Sequence, residues 1–194
     1  MLSIIIIAIN AILIENYILV KFLGICPFIG VSKKTDTAVG MGIAVIFTMT
    51  VASAITWIIQ KLLIEPLNIS YLQTIIFILV IAALVQLIEM FLQKSIPALY
   101  QSLGIYLPLI TTNCAILGVA IMNVTKGYNF IESVVYGFAS GVGFLIATVM
   151  LALLRERIAY ADIPKPFRGV PIVLIAAGLI CISFMGFQGF KLPF

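Results

Sequence analysis

Two cysteines occupy matching positions in two copies of a short motif, and a matched thiol pair is suited to holding a metal. The segment CPFIGV begins at Cys26 and CAILGV begins at Cys114, so both read C-x-x-x-G-V. The chain contains no histidine, which is the commonest metal ligand. Because iron–sulfur and zinc sites usually need four ligands, two thiolates would form only half of a site. The sequence therefore predicts a metal half-site that a second protein chain completes.

The metals open to such a half-site differ in what they would do. Zinc would only support the structure, whereas an iron–sulfur cluster would carry electrons. The competing interpretation is that Cys26 and Cys114 are small buried hydrophobic residues, as most free cysteines are. The third cysteine, Cys181, lies in the plain apolar run GLICISFMG, and for it we favour that interpretation.

The composition of the chain places these residues in a membrane. Of 194 residues, 63% are hydrophobic and 9% are charged, whereas about a quarter of the residues of a soluble domain are charged. A membrane-spanning helix needs about 20 mostly apolar residues. We predict an all-α membrane protein with one integral domain over residues 1–194. Its six transmembrane helices are predicted at about 2–32, 38–63, 71–92, 99–124, 130–154 and 170–190.

The basic residues predict how the chain is oriented. Seven of the eleven lysines and arginines fall after the first, third and fifth predicted spans: Lys33, Lys34, Lys94, Arg155, Arg157, Lys165 and Arg168. By the positive-inside rule that side is cytoplasmic, so both termini are predicted to be extracytoplasmic. The basic excess thus orients the protein in lipid and does not indicate a nucleic-acid partner.

The six spans divide into two sets of three, residues 1–93 and 94–194, which must enter the membrane from opposite sides. Such inverted repeats often build a site at mid-depth. The first span of each half is interrupted, by Gly24 and Pro27 in one and by Pro108 in the other. Proline disrupts a helix, and broken backbone in lipid is tolerated only where protein surrounds it or a site is formed. We therefore predict that spans 1 and 4 are pairs of half-helices meeting near the bilayer centre.

Each cysteine is predicted to lie at the start of a half-helix. We expect Cys26 at the N-cap with Pro27 at the first helical position. The half-helix with Cys114 is expected to be capped by the polar group before it, Thr111, Thr112 and Asn113. Free N–H groups and the helix dipole favour a thiolate there. Hydrogen bonds from the same three residues are expected to tune a bound centre.

Two carboxylates lie in otherwise apolar spans. Ionisable residues at membrane depth are costly and often functional, so one interpretation places Glu15 and Glu89 on a sodium or proton path. The other interpretation has them in ion pairs between subunits, with Lys21 as one candidate partner, or at the membrane interface. We favour the second, because Glu89 lies close to the Lys94 end of its span.

Four long segments resemble one protein family: FLGICPFIGVSKKTDTAVGMG, LGIYLPLITTNCAILGVA, ESVVYGFASGVGF and LRERIAYADIPKPFRG. They are similar to the family that contains the RnfA protein of the Rnf complex and the NqrE protein of the sodium-pumping NADH:quinone reductase. The resemblance covers essentially the whole chain. The forms CPFIGVSKK and NCAILGVAI look more like the Rnf member.

The resemblance implies a role in an ion-translocating ferredoxin:NAD⁺ oxidoreductase of the bacterial cytoplasmic membrane. In that family the protein pairs with a homologous membrane protein of opposite orientation, resembling RnfE, and cysteines of both hold one [2Fe–2S] cluster. The residues that match here are Cys26 and Cys114, with Gly24 and Pro27 beside them. Flavins and other clusters would belong to other subunits, so no turnover is expected from this chain alone. The alternatives are a small inverted-repeat secondary transporter and the quinone-reductase homologue.

Overall fold

A computed structural model describes residues 2–67, 70–95 and 107–186 of the chain, and most of these residues lie in helices. The helices are α1 (Leu2–Ile9), α2 (Ile25–Val31), α3 (Thr35–Ile59), α4 (Gln73–Ser95), α5 (Leu107–Thr111), α6 (Cys114–Thr125), α7 (Phe130–Ile158) and α8 (Val170–Met185). Helices α1 and α3 continue as π-helical turns over Asn10–Ile14 and Gln60–Ile64. These ranges contain no strand, so the all-α prediction is confirmed.

Most of the predicted spans are found as apolar helices. Four stretches are long and apolar enough to cross a membrane: Thr35–Ile64, Gln73–Met90, Pro108–Thr125 and Phe130–Ile158. Ile4–Ile14 and Val170–Met185 are shorter apolar helices. Each of the six overlaps one predicted span, although residues 99–106 and 187–190 of those spans lie outside the described residues. The division into two inverted halves stays a prediction.

Helices α3 and α7 form the central pair of the bundle. Their contacts run antiparallel, since Gly42 on α3 lies against Leu145 and Gly137 on α7 lies against Ser53. At Gly141, a Cβ would lie only 2.7 Å from a backbone carbon of α3. Small residues allow this close approach. In lipid, where the hydrophobic effect does not drive helices together, such close packing is what stabilises their association.

The two ends of the bundle carry different polar contacts. At one end, Arg155 Nη1 donates hydrogen bonds of 2.8 Å to Ile29 O and Ser32 Oγ. At the other end, Trp57 Nε1 donates to Tyr128 O at 2.8 Å. The basic loops after the first and fifth predicted spans therefore meet at one end, as the charge pattern predicts.

Residues 15–24 separate α1 from α2 and reverse the direction of the chain. The Ala11 and Ile12 carbonyl oxygens lie against Gly143 of α7, whereas Glu15, three residues later, accepts from Tyr136 Oη at 3.2 Å, nearer the start of α7. Beyond the break, Ile29 contacts the end of α7 through the arginine described above. The contacts thus move toward the start of α7 and then return toward its end. The first predicted span contains a reversal as well as a break.

Replacing Gly141 by alanine is expected to destabilise the fold, because its Cβ would lie 2.7 Å from Ile46 Cα. Overpacking typically costs about 1–3 kcal/mol, which exceeds the roughly 1 kcal/mol that alanine gains over glycine in a helix. Gly178→Ala in α8 is the matched control, because nothing lies within 4 Å of that Cβ position. We expect a lower thermal unfolding temperature in detergent for Gly141→Ala alone; an equal change in both variants would contradict the close packing.

Candidate metal centre

A hydrogen bond joins the two predicted helix interruptions. Gly24 N donates to Cys114 Sγ at 2.9 Å, across 90 residues of sequence. Gly24 has a φ of +82°, and a Cβ there would lie 3.1 Å from Asn113 Oδ1. Because two residues span at most about 7 Å, the backbone of Cys26 also lies close to the Cys114 thiol. The structure therefore brings both C-x-x-x-G-V motifs to one place.

The two cysteines of these motifs are exposed in this chain, whereas Cys181 is buried. Interpretation as a small hydrophobic core residue therefore suits Cys181 and does not suit Cys26 or Cys114. Within the described residues, no three histidine, cysteine, aspartate or glutamate side chains are grouped to hold a metal. The pair is thus accessible to a second chain and would need that chain to complete a four-ligand set.

Helix α6 begins at Cys114, with Asn113 as its N-cap. Asn113 Oδ1 accepts a hydrogen bond of 3.0 Å from Ala115 N, which confirms the predicted cap. The Nδ2 of the same buried side chain has no partner among the described residues. Buried polar groups are normally satisfied, so this donor suits an acceptor bound beside Cys114. Thr112 Oγ1 instead donates to Pro108 O of the preceding helix, α5.

The start of α2 differs from the prediction by two residues. Gly24 is the N-cap, so Cys26 and Pro27 are the second and third helical residues. The first hydrogen bond within the helix runs from Phe28 N to Gly24 O at 3.3 Å. Proline is tolerated here because N–H groups in the first turn of a helix make no hydrogen bond within the helix, so the missing N–H of proline costs none. The positive φ of glycine allows the helix to begin earlier than the proline alone indicates.

Backbone strain is concentrated in the first interruption. Phe22 has a φ of +55° and is the only non-glycine residue with positive φ in the described part of the chain. Such conformations cost roughly 1–3 kcal/mol and cluster at functional sites. The Phe22 side chain is also 52% exposed, which places an apolar ring at the surface near Cys26.

A polar network lies against the other side of the interruption. Glu15 forms an ion pair with Lys126 and accepts from Tyr136 Oη, which is hydrogen-bonded to Tyr17 Oη at 2.8 Å. Lys21, the expected partner, lies over the Tyr17 ring at 5.0 Å from its centroid. Glu15 is therefore paired, but within the chain and with a different lysine, because the end of α6 brings Lys126 to it.

Glu89 lies half-buried on α4 and has no hydrogen bond or ion pair with another described residue. A place on an ion path stays a prediction for Glu89 and for Glu15.

The comparisons with known proteins give the family. The model of the family described as Rnf-Nqr subunit, membrane protein, matches residues 4–191. The chain belongs to the Rnf-Nqr family.

Two curated relatives share more than half of their residues with this chain over nearly their whole length. The RnfA protein of the ion-translocating oxidoreductase complex of Syntrophotalea carbinolica is 56% identical over 97% of this chain and 98% of its own length. Its counterpart in the Na⁺-translocating ferredoxin:NAD⁺ oxidoreductase complex of Acetobacterium woodii is 56% identical over 98% of this chain and 100% of its own. The family assignment therefore includes both cysteine motifs.

Sequence reasoning missed two residues that position the site in this Rnf-Nqr chain. Arg155 holds the end of α2 through Ile29 O and Ser32 Oγ. Tyr136 joins Glu15 to the buried Tyr17 ring. The signal for the arginine is that its basic side chain lies within the last turn of an apolar span, where helix ends offer free carbonyl groups.

Replacing Gly24 by alanine is expected to separate the two interruptions. Both the strain of a positive φ, about 1–2 kcal/mol, and contacts of 3.1 Å to Asn113 Oδ1 and Ala115 Cβ oppose a side chain there. Gly127→Ala is the matched control, because Gly127 has a φ of +63° but nothing within 4 Å of its Cβ position. Thermal unfolding and the alkylation rate of the Cys114 thiol are measured. We expect both to change more in Gly24→Ala, and equal effects would contradict the contact.

Proposed function

We propose that this chain is a membrane subunit of an ion-translocating ferredoxin:NAD⁺ oxidoreductase of the Rnf type. In this proposal Cys26 and Cys114 supply two ligands to a [2Fe–2S] cluster, and a homologous membrane subunit of opposite orientation, similar to RnfE, supplies the other two. The observation that supports it is the Gly24 N to Cys114 Sγ hydrogen bond, which puts the Cys114 sulfur against the residue two positions before Cys26, and both cysteines are exposed in this chain. The names of both relatives described above support membership of such a complex.

The residues at the site suit a centre with four thiolate ligands. The Gly24 amide is directed at the Cys114 sulfur, and the unpartnered Asn113 Nδ2 lies beside it. The start of the 12-residue helix α6 favours negative charge at Cys114. Hydrogen bonds to the sulfurs and net charge set the reduction potential of such clusters. The cluster, when bound, supplies one-electron transfer.

The chain itself binds and orients the centre and excludes water around it. A charge moved from water into a low-dielectric interior is costly unless dipoles compensate it. The Gly24 N–H and the helix start provide that compensation without a counterion. The buried Phe144 ring closes the site from the α7 side, since its Cε2 lies 3.2 Å from the Cβ position of Gly24.

The alternatives fit the same residues less well. A secondary transporter with inverted repeats places charged or strongly polar groups at its interruptions. Here the interruption offers cysteines, threonines and Asn113, and the carboxylate of Glu15 is already held by Lys126. A zinc site would use the same thiolates but would carry no electrons. The quinone-reductase homologue would use the half-site in the same way, with a different electron acceptor.

The remaining parts of the proposal concern location and partners. We place the protein in the bacterial cytoplasmic membrane with the basic end of the bundle facing the cytoplasm, as the positive-inside rule indicates. By the charge pattern both termini would then be extracytoplasmic, whereas the reversal at residues 15–24 would leave the start of α1 on the same side as the end of α2. The other Rnf subunits carry the flavins and the remaining clusters.

The thiols are tested in the anaerobically purified complex. Cys26→Ser and Cys114→Ser are each expected to remove about two irons and two acid-labile sulfides per complex, together with one [2Fe–2S] signal in the reduced EPR spectrum. Electron transfer from ferredoxin to NAD⁺ should fall to background. Cys181→Ser changes the buried cysteine and is the control. It should keep the iron and sulfide content, the EPR signal and the electron transfer of the wild type. Unchanged iron and EPR in both thiol variants would refute the shared cluster, and stoichiometric zinc would favour a structural site.

Asn113 is expected to tune the potential of the bound centre. Asn113→Ala removes both the cap and the amide donor, whereas Asn113→Ser keeps a capping oxygen and removes only the donor. Both are expected to lower the midpoint potential by on the order of tens of millivolts, because a donor near the sulfur is lost. Asn129→Ala removes the N-cap residue of α7 and is the control. A redox titration followed by EPR measures the potentials; unchanged values in both Asn113 variants would exclude this role.

A further inference from the structure

A basic pocket and an apolar groove join between α7 and α8, at the end of the bundle opposite the Glu15–Lys126 pair. The pocket has a volume of about 420 Å³ and is lined by Arg155, Arg168, Ile158 and Ile172, among others. A second pocket of about 360 Å³ shares Arg155 and adds Lys33 and Glu156. The two pockets are therefore neighbours, with Arg155 lining both.

The groove adjoins the basic pocket. It has a volume of about 310 Å³ and shares Ile158 and Ile172 with the pocket. From there it follows α8 past Ala176 and Leu179 to Ser183. Most of its lining is aliphatic, and the outer face of α8 is exposed in this chain, with Leu179 61% accessible. A long apolar chain fits the groove, and a charged group fits its open end.

The charge around the pocket favours an anion. Residues 33–36 and 155–168 contain six basic and three acidic side chains, which gives a net charge of +3. Of the acidic groups, Glu156 accepts hydrogen bonds from Thr35, and Asp162 is fully exposed at 3.7 Å from Arg168. Gly169, the N-cap of α8, makes no side-chain cap hydrogen bond, and Gly169 and Ile172, whose N–H groups belong to the free first turn, line the same pocket. Such groups add to the attraction for phosphate.

We propose that this joined site binds one anionic phospholipid, with its phosphate in the basic pocket and an acyl chain in the groove between α7 and α8. A free phosphate would leave the groove unused, whereas a lipid uses both parts at once. The position of the site agrees with a lipid ligand. In the orientation proposed above the pocket faces the cytoplasm, and basic pockets between transmembrane helices on that side bind anionic headgroups. The inference does not depend on the cluster proposed above.

Arg155 connects this lipid site to the candidate metal centre. Its Nη1 holds Ile29 O and Ser32 Oγ at the end of α2, the helix that contains Cys26. The same guanidinium lines the basic pocket. A lipid phosphate there restrains the arginine and, through it, the end of α2.

The experiment uses the purified complex in nanodiscs that contain a photoactivatable phosphatidylglycerol, with a photoactivatable phosphatidylcholine as the comparison lipid. We expect the anionic probe to label residues 154–183. Arg168→Gln should lower this labelling about fivefold, because one basic residue at the surface contributes about 1 kcal/mol to attraction of an anionic lipid. Ala176→Phe, which fills the groove, should also lower it.

Two matched variants separate this site from general effects of charge and size. Arg157→Gln removes a basic residue of the same loop that does not line either pocket, and Leu174→Phe enlarges an exposed residue of α8 outside the groove. The anionic probe should label both variants to the same extent as the wild type. The unfolding temperature of each variant is measured, and Arg168→Gln at the surface decides the test if Ala176→Phe fails to assemble.

Four outcomes would overturn the proposal. Equal labelling by the phosphatidylcholine probe, or an equal loss in Arg157→Gln, would show that no specific headgroup site exists. Displacement of the probe by millimolar inorganic phosphate, with no effect of Ala176→Phe, would show a site for free phosphate. Cross-linking of a photoreactive residue at position 179 to a neighbouring protein of the complex, with no lipid adduct, would show that a protein covers the groove.

Discussion

Backbone groups inside a membrane must find partners within the protein, and residues 15–24 are where this chain meets that constraint most severely. Asn16 satisfies two backbone groups there. Its Oδ1 accepts from Ile18 N within the break at 3.1 Å, and its Nδ2 donates to Gly143 O of α7. The last donor of the break, Gly24 N, has Cys114 Sγ as its acceptor. Each unsatisfied group in lipid costs several kcal/mol. The break is therefore stable only in contact with α6 and α7, which fixes where the helix that contains Cys26 begins.

The acceptor chosen for Gly24 links structure to chemistry. Sulfur in a thiol is a weak acceptor, whereas charged acceptors make hydrogen bonds about twice as strong as neutral ones. The Gly24 to Cys114 bond is therefore stronger when Cys114 is a thiolate, the form that binds metal. In the proposed half-site, the contact that completes the backbone of the first interruption is thus also the one that favours the thiolate of the second cysteine. The two motifs would then depend on each other although they lie 88 residues apart.

The parts of the site that were predictable are those that local chemistry determines. The interruptions follow from glycine and proline in apolar spans, and the Asn113 cap follows from a polar residue directly before a helical run. The pairing that the sequence did not indicate is non-local. Lys21 is close to Glu15 in sequence, but the structure pairs Glu15 with Lys126, 111 residues away. Periodicity shows which face of a helix is apolar, and it does not show which helices become neighbours when the chain reverses.

The two cysteines are not equivalent in their surroundings, although the motif that contains them is repeated. Cys114 opens a helix of 12 residues with a side-chain cap, and its sulfur accepts the Gly24 amide. Cys26 lies second in a helix of seven residues whose N-cap, Gly24, makes no side-chain hydrogen bond. Negative charge is therefore better compensated at Cys114 than at Cys26. A centre shared by both thiols would be held unevenly within this chain, so the surroundings of Cys26 depend more on what the second membrane protein places beside it.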